Sequence, residues 1–265
     1  MGEAKRRRTR LQRMLAEQPW CIYCGGSTPG SSVDHMPPIA ICDLRQRPPG
    51  LEFVACADCH EATRRLDQVA AVLCRAFPDP TSEDARREVQ ALMRGLANNQ
   101  PDILFEWRAS AIQRRIAYEA PGQFKRGGAL NIGDKTHMMM LTFAARTAAA
   151  LHFQVTQRIV PSSGGIWATW HTNERLIKGD FPEHFAEMLP PHTTLGAGLR
   201  KSLAGQFDYS SRVTDDGLMS AHMATFRLSF AIQAAVATDI ASFAHVQSTR
   251  PALVFRPGFL KKMGQ

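Results

Sequence analysis

Two short cysteine pairs constrain this chain more than any other feature. Cys21 and Cys24 bracket "IY", thirty-one residues follow, and Cys56 and Cys59 bracket "AD". Four thiolates in two such pairs match the soft, tetrahedral preference of zinc, and each two-residue loop can turn both of its sulfurs towards one ion. The spacer is longer than a compact zinc ribbon needs, so a folded insert must lie between the knuckles. A dithiol redox pair is the competing reading. The second pair, however, follows a strand-like run and opens a helix, which is how a metal knuckle is placed. Structural Zn²⁺ held by Cys21, Cys24, Cys56 and Cys59 is therefore expected. Cys42 and Cys74 lie outside the pairs and read as core cysteines.

The rest of the chain reads as α+β. Residues 3–17 suit a basic helix stopped by Pro19. "SSVDHM" and "LEFVAC" suit short strands, one on each side of the spacer. From Glu61, Leu66, Val69, Ala70, Leu73 and Phe77 recur at helical spacing. A second helix follows in "TSEDARREVQALMRGLANN", with Thr81 or Ser82 as its cap, and "PDILFEWRASAIQRRIAYE" reads as a third. Residues 121–135, rich in glycine, are read as a linker. They separate a zinc module with helical extension (20–120), preceded by the basic helix of 1–19, from a C-terminal α+β domain (136–265). In that domain a long helix over "KTHMMMLTFAARTAAALHFQVTQRI", capped by Asp134, should be buried because its apolar surface is too wide for one face. "GGIWATWHTN" alternates weakly and "FPEHFAEMLP" suits a short helix. Strands of an antiparallel sheet should turn at Asp215, Asp216 and Gly217. Trp167, Trp170 and Met138 to Met140 read as packing residues, and the histidines beyond residue 60 show no ligand spacing.

Charge narrows the partners. The net charge is +8, and residues 1–15 carry Lys5, Arg6, Arg7, Arg8, Arg10 and Arg13 against Glu3. Such a segment is either a solvated helix end or an arm that contacts phosphate. No apolar run reaches the roughly 18 residues of a membrane span, and the nearest is interrupted by Arg146. The basic N-terminus lacks the apolar core of a secretory signal, so a cytoplasmic protein without membrane association is expected.

Between the cysteine pairs lies Asp34-His35, followed by an apolar residue and a proline, and His60 comes directly after the last cysteine. With "CIYC", "VDHMPP" and "LEFVACADCH" in this order, residues of about 20–66 resemble the HNH endonucleases, whose ββα-metal core is often stapled by four cysteines. The resemblance implies phosphodiester hydrolysis in nucleic acid, DNA in the first instance. His35 would be the general base, and Asp34 and His60 would be ligands of Mg²⁺ or another divalent ion. Arg64 and Arg65, with Arg6, Arg7 and Arg8, would meet phosphate. Two positions depart from the family pattern. The motif asparagine that braces the catalytic loop is Leu51, and the lysine after the last histidine is Thr63. These departures leave open a second reading, in which a degenerate HNH-like module binds nucleic acid or protein and the C-terminal domain is a sensor or partner domain.

Overall fold

The computed structural model describes residues 2–43, 47, 50–76, 80, 82–117, 124–173, 193–194, 205–244 and 253–264. It is an α+β fold of five helices and three antiparallel sheets among those residues. Helix α1 (Gly2–Glu17) leads to a pair of short strands, β1 (Ser32–His35) and β2 (Glu52–Ala55). Their register sets Asp34 opposite Phe53 and His35 opposite Glu52. Helix α2 (Ala57–Ala76) starts immediately after Cys56 and buries Cys59, Ala62, Leu66, Val69 and Ala70, the stripe its sequence period demands. Helix α3 (Glu83–Asn99) begins as its sequence suggests. Ser82 Oγ accepts the Ala85 amide at 3.1 Å, and Glu83 and Asp84 face the positive end of the helix.

Helix α4 (Pro101–Ser110) is shorter than expected. The predicted third helix continued through residue 119, whereas Ala111–Ala117 is strand β3, paired along its length with β4 (Phe124–Leu130). Ile112 and Ile116 are four residues apart, a spacing that satisfies both a helical stripe and one face of a strand. The ladder with β4, drawn from the glycine-rich segment read as a linker, decides between them. At the end of α4, Ser110 Oγ turns back to donate to the Trp107 carbonyl at 3.2 Å.

Helix α5 (Asp134–Thr156) is buried almost continuously from Met139 to His152, as its unbroken apolar surface requires. Gly133, not Asp134, is its N-cap, and Asp134 is the first helical residue. The helix lies against a sheet of strand order β10-β5-β9-β8-β7-β6, in which every neighbouring pair is antiparallel. Its members are β5 (Gly165–Thr172), β6 (Thr193–Thr194), β7 (Asp208–Val213), β8 (Met219–Phe226), β9 (Phe230–Ala237) and β10 (Leu253–Phe255). Strands β7 and β8 turn through Asp215, Asp216 and Gly217, with Gly217 at φ 68°, a conformation glycine adopts without a Cβ penalty. Phe143 of α5 packs edge-on against Phe226 and Phe230, at ring centroid distances of 5.3 and 6.0 Å. The short helix expected in residues 181–190 lies outside the described residues. Residues from both sides of the 121–135 segment, among them Tyr23, Phe53, Leu66, Met140, Phe143 and Phe226, belong to one buried cluster.

A chain of buried polar groups crosses from α5 to the sheet. His152 Nδ1 lies 2.7 Å from Ser220 Oγ, which lies 2.7 Å from His222 Nε2, and His222 Nδ1 lies 2.8 Å from Ser211 Oγ. Burial, with Arg158 nearby, pushes the His152 pKa down to about 4, and burial with His152 nearby pushes His222 to about 3. Both imidazoles are thus neutral in the fold where the unfolded chain would already protonate them, near 6.5. Their contribution is complete above that value and is lost as pH falls towards 4. Chemical denaturation should therefore show stability declining between pH 6.5 and 4, and His152→Gln should flatten the decline by up to about 1.4 kcal/mol per pH unit.

Candidate metal centre and the buried carboxylate beside it

The two cysteine pairs meet. Cys21 and Cys24 lie on the turn before β1, Cys56 follows β2, and Cys59 is in the first turn of α2. All four are buried, and their sulfurs lie within 4.8 Å of one another. Cys24 Sγ is 3.7 Å from Cys56 Sγ and 3.4 Å from Cys59 Sγ. Zn–S bonds of about 2.3 Å in a tetrahedron separate sulfurs by about 3.8 Å, so the cage has the size of a Cys₄ zinc site. Four buried cysteines close together could thus hold a structural metal ion such as zinc. Cys42 and Cys74 are buried thiols away from this group.

A lysine from the far end of the chain covers the cage. The last turn of the described chain, Phe259–Gly264, brings Lys261 Nζ to 2.8 Å from Thr28 Oγ1. Partial burial disfavours its charge, but Cys24, Cys56 and Cys59 outweigh this and hold the ammonium above its usual pKa. The chain therefore supplies a cation against a site whose four thiolates carry more negative charge than one divalent ion cancels.

Asp34, one strand away, meets a guanidinium where the resemblance implies a divalent metal. It is 3 % exposed. Arg146 of α5, 0 % exposed, grips it with Nε to Oδ2 at 3.0 Å and Nη2 to Oδ1 and Oδ2 at 2.7 and 2.8 Å. Tyr23 donates its hydroxyl to Oδ2 at 2.5 Å, and Thr63 Oγ1 lies 3.5 Å from Oδ1. Arg146 also pairs with Asp67 of α2 and donates to the His35 carbonyl at 3.1 Å. Burial raises the cost of a charged Asp34, but Arg146 and Tyr23 outweigh it and hold the carboxyl below its usual range. Burial pushes Asp67 upward, with Arg146 opposing. Thr63, at the position of the motif lysine, is 1 % exposed and turned inward, and Leu51 is a core residue at 1 %.

His35 points to the other face of β1, towards its cross-strand neighbour. Its Nδ1 lies 3.6 Å from Glu52 Oε1, and Glu52 also pairs with Arg10 of α1 and with Arg47 at 3.5 Å. Burial, reinforced by Arg47 and Arg10, pushes the His35 pKa down to about 4. The Nδ1 atoms of His35 and His60 are both buried without a hydrogen-bond partner. Among the described residues, only the four cysteines bring three or more histidine, cysteine or carboxylate donors close enough to share an ion. Asp34, His35 and His60 form no such set. Arg64 is exposed and pairs with Glu61, while Arg65 is exposed and lines a cavity of about 440 Å³ with Gln100, Lys135 and Met138. The side chains of Arg6, Arg7 and Arg8 lie outside the described residues.

Three residues important to this site were not singled out from the sequence: Tyr23, Asp67 and Arg146. The signal for Arg146 was present as the single charge interrupting "MMMLTFAARTAAALHF". A charge inside a buried helix demands a counter-ion, although its position gives no hint which. Comparison of the chain with protein-family models, with curated proteins and with solved structures finds no match.

Two measurements follow. Elemental analysis of purified protein should give one zinc per chain, and Cys24→Ser or Cys59→Ser should lose it together with thermal stability. Arg146→Met leaves Asp34 buried and unpaired and should cost about 3 to 5 kcal/mol in urea denaturation, most of which the double variant Asp34→Asn/Arg146→Met should recover.

Proposed function

We propose that this protein binds nucleic acid through an HNH-like zinc module whose hydrolytic cation position has become a structural ion pair. The observation that carries the reading is the Arg146 guanidinium on both oxygens of Asp34. A carboxylate that already accepts from Arg146 on both oxygens and from Tyr23, with almost no exposure, is committed to partners within the protein and is closed off from water and from a phosphate-bound divalent ion. The inward Thr63 and the core Leu51 fit the same reading, since neither supplies the polar contact that hydrolysis in the HNH pattern uses. A polyanionic partner is supported by the +8 net charge and by the basic helix α1, which Arg10 ties to Glu52 beside His35. Bound zinc would supply rigidity to the two knuckles and no reaction step.

One observation favours hydrolysis as a second reading. Glu52 stands behind the half-buried His35 on the neighbouring strand, a position from which a carboxylate can orient an imidazole. His35 is neutral at pH 7, and its pKa pushed down to about 4 makes it a weaker base than an ordinary imidazole.

Supercoiled plasmid separates the two. The binding reading expects no nicking above buffer with Mg²⁺ or Mn²⁺, alongside retention of labelled DNA that weakens steeply with salt. Metal-dependent nicking that disappears in His35→Ala overturns it in favour of hydrolysis.

A further inference from the structure

Helices α2, α4 and α5 converge on the cavity of about 440 Å³ that Arg65 lines, and the chemistry of its walls specifies an occupant. The floor is apolar and buried, made by Ala62 of α2, Ile103 of α4 and Met139 of α5. Met138 stands at the mouth, 45 % exposed, an unbranched side chain that can adjust to what lies beneath it. A cleft of this size between helices holds a small organic molecule.

One polar group of the lining is left without a partner. Gln100, 1 % exposed, closes α3 and opens α4. Its main chain is used within the fold: the amide donates to the Leu96 carbonyl at 2.8 Å, and the carbonyl accepts the Ile103 amide at 3.2 Å. Its Nε2 donates to the Arg65 carbonyl at 2.9 Å and to Gln68 Oε1 at 3.0 Å, both on α2. The backbone acceptor fixes the amide, since a flipped one would set its oxygen against the Arg65 carbonyl. Oε1 is then a buried acceptor with no donor. An N–H or O–H brought by an occupant would satisfy it.

The charges at the mouth define the other end. Lys135 Nζ is 3.2 Å from Asp102 Oδ2, so these two offset each other. The first turn of α5 does not receive an anion, because Glu106 accepts the Lys135 and Thr136 amides at 3.0 and 3.2 Å. Arg65 is exposed, and among the described residues no carboxylate pairs with its guanidinium. Asp134 on the same rim opposes a second negative charge, which selects a monocarboxylate over a phosphate ester.

We infer that this cavity binds a small amphipathic monocarboxylate, with its carboxylate on Arg65, its apolar body over Ile103 and Met139, and an O–H or N–H donated to Gln100 Oε1. The site is separate from the nucleic-acid reading and does not depend on it. Gln100 ties it to α2, the helix that carries Cys59 and Asp67.

The test is saturation-transfer NMR and calorimetric titration of the full chain with 4-hydroxyphenylacetate as probe, for which a Kd of about 1 mM or tighter is expected. Phenylacetate, which lacks the donor, should bind about fivefold more weakly. The neutral amide of the probe should bind about tenfold more weakly. Arg65→Gln should weaken the acid about tenfold and leave the amide unchanged, a split that loss of fold would not produce. Met138→Trp, at an exposed position, should fill the mouth and abolish binding without lowering the melting temperature. No saturation transfer at about 10 mM probe overturns the assignment. So does equal affinity for phenylacetate and the probe, or binding that survives both Met138→Trp and Arg65→Gln. Each of these results leaves nucleic-acid binding as it stands.

Discussion

The rest of the structure depends on one buried guanidinium. Arg146 has no water to solvate it and Asp34 has almost none, so neither is tolerable in the apolar interior without the other, and the partly exposed Asp67 adds a second carboxylate to the same guanidinium. Because Asp34 is on β1, Asp67 on α2 and Arg146 on α5, satisfying the charges fixes three elements at one point. Tyr23, between the first two cysteines, joins the same network through its hydroxyl. The position of the helix that carries the large sheet is therefore linked by charge, as well as by apolar contact, to the turn that carries the first metal knuckle.

The cysteine cage and the ion pair divide the labour around β1. Consecutive residues of a strand face opposite ways, so Asp34 serves the interior while His35 faces Glu52, Arg10 and Arg47. That second face is the one on which basic residues and a half-exposed imidazole collect. It is where the proposed nucleic-acid contacts of the module would lie.

Much of this was legible in the sequence wherever the signal was local. The cage could be read because two-residue cysteine loops are a short-range geometric device, and β1, β2, α2 and α3 because their apolar periods and the Ser82 cap are local too. Ile112 and Ile116 misled because a spacing of four residues fits both periods, and the partner that settles the matter lies beyond a turn. The role of Asp34 could not be read at all. Its partner is 112 residues away, and nothing in "VDH" distinguishes a carboxylate awaiting a metal from one awaiting a guanidinium. What the sequence did offer was Arg146 as a charge in the wrong company.

The return of the chain to its first knuckle has a consequence for biosynthesis. Gly258 donates its amide to the Tyr23 carbonyl at 2.7 Å, Leu260 is fully buried, and Lys261 reaches Thr28 across 233 residues of sequence. At ribosomal rates of about 5 to 20 residues per second, the second pair of cysteines emerges within seconds of the first, but the segment that covers them follows roughly 10 to 40 s later. The nascent chain thus passes through an interval with four metal-competent thiols in place and their cover not yet made. Metal capture during that interval would protect the thiols from oxidation and wrong pairing, so the order of synthesis favours an ion that arrives before the fold is closed.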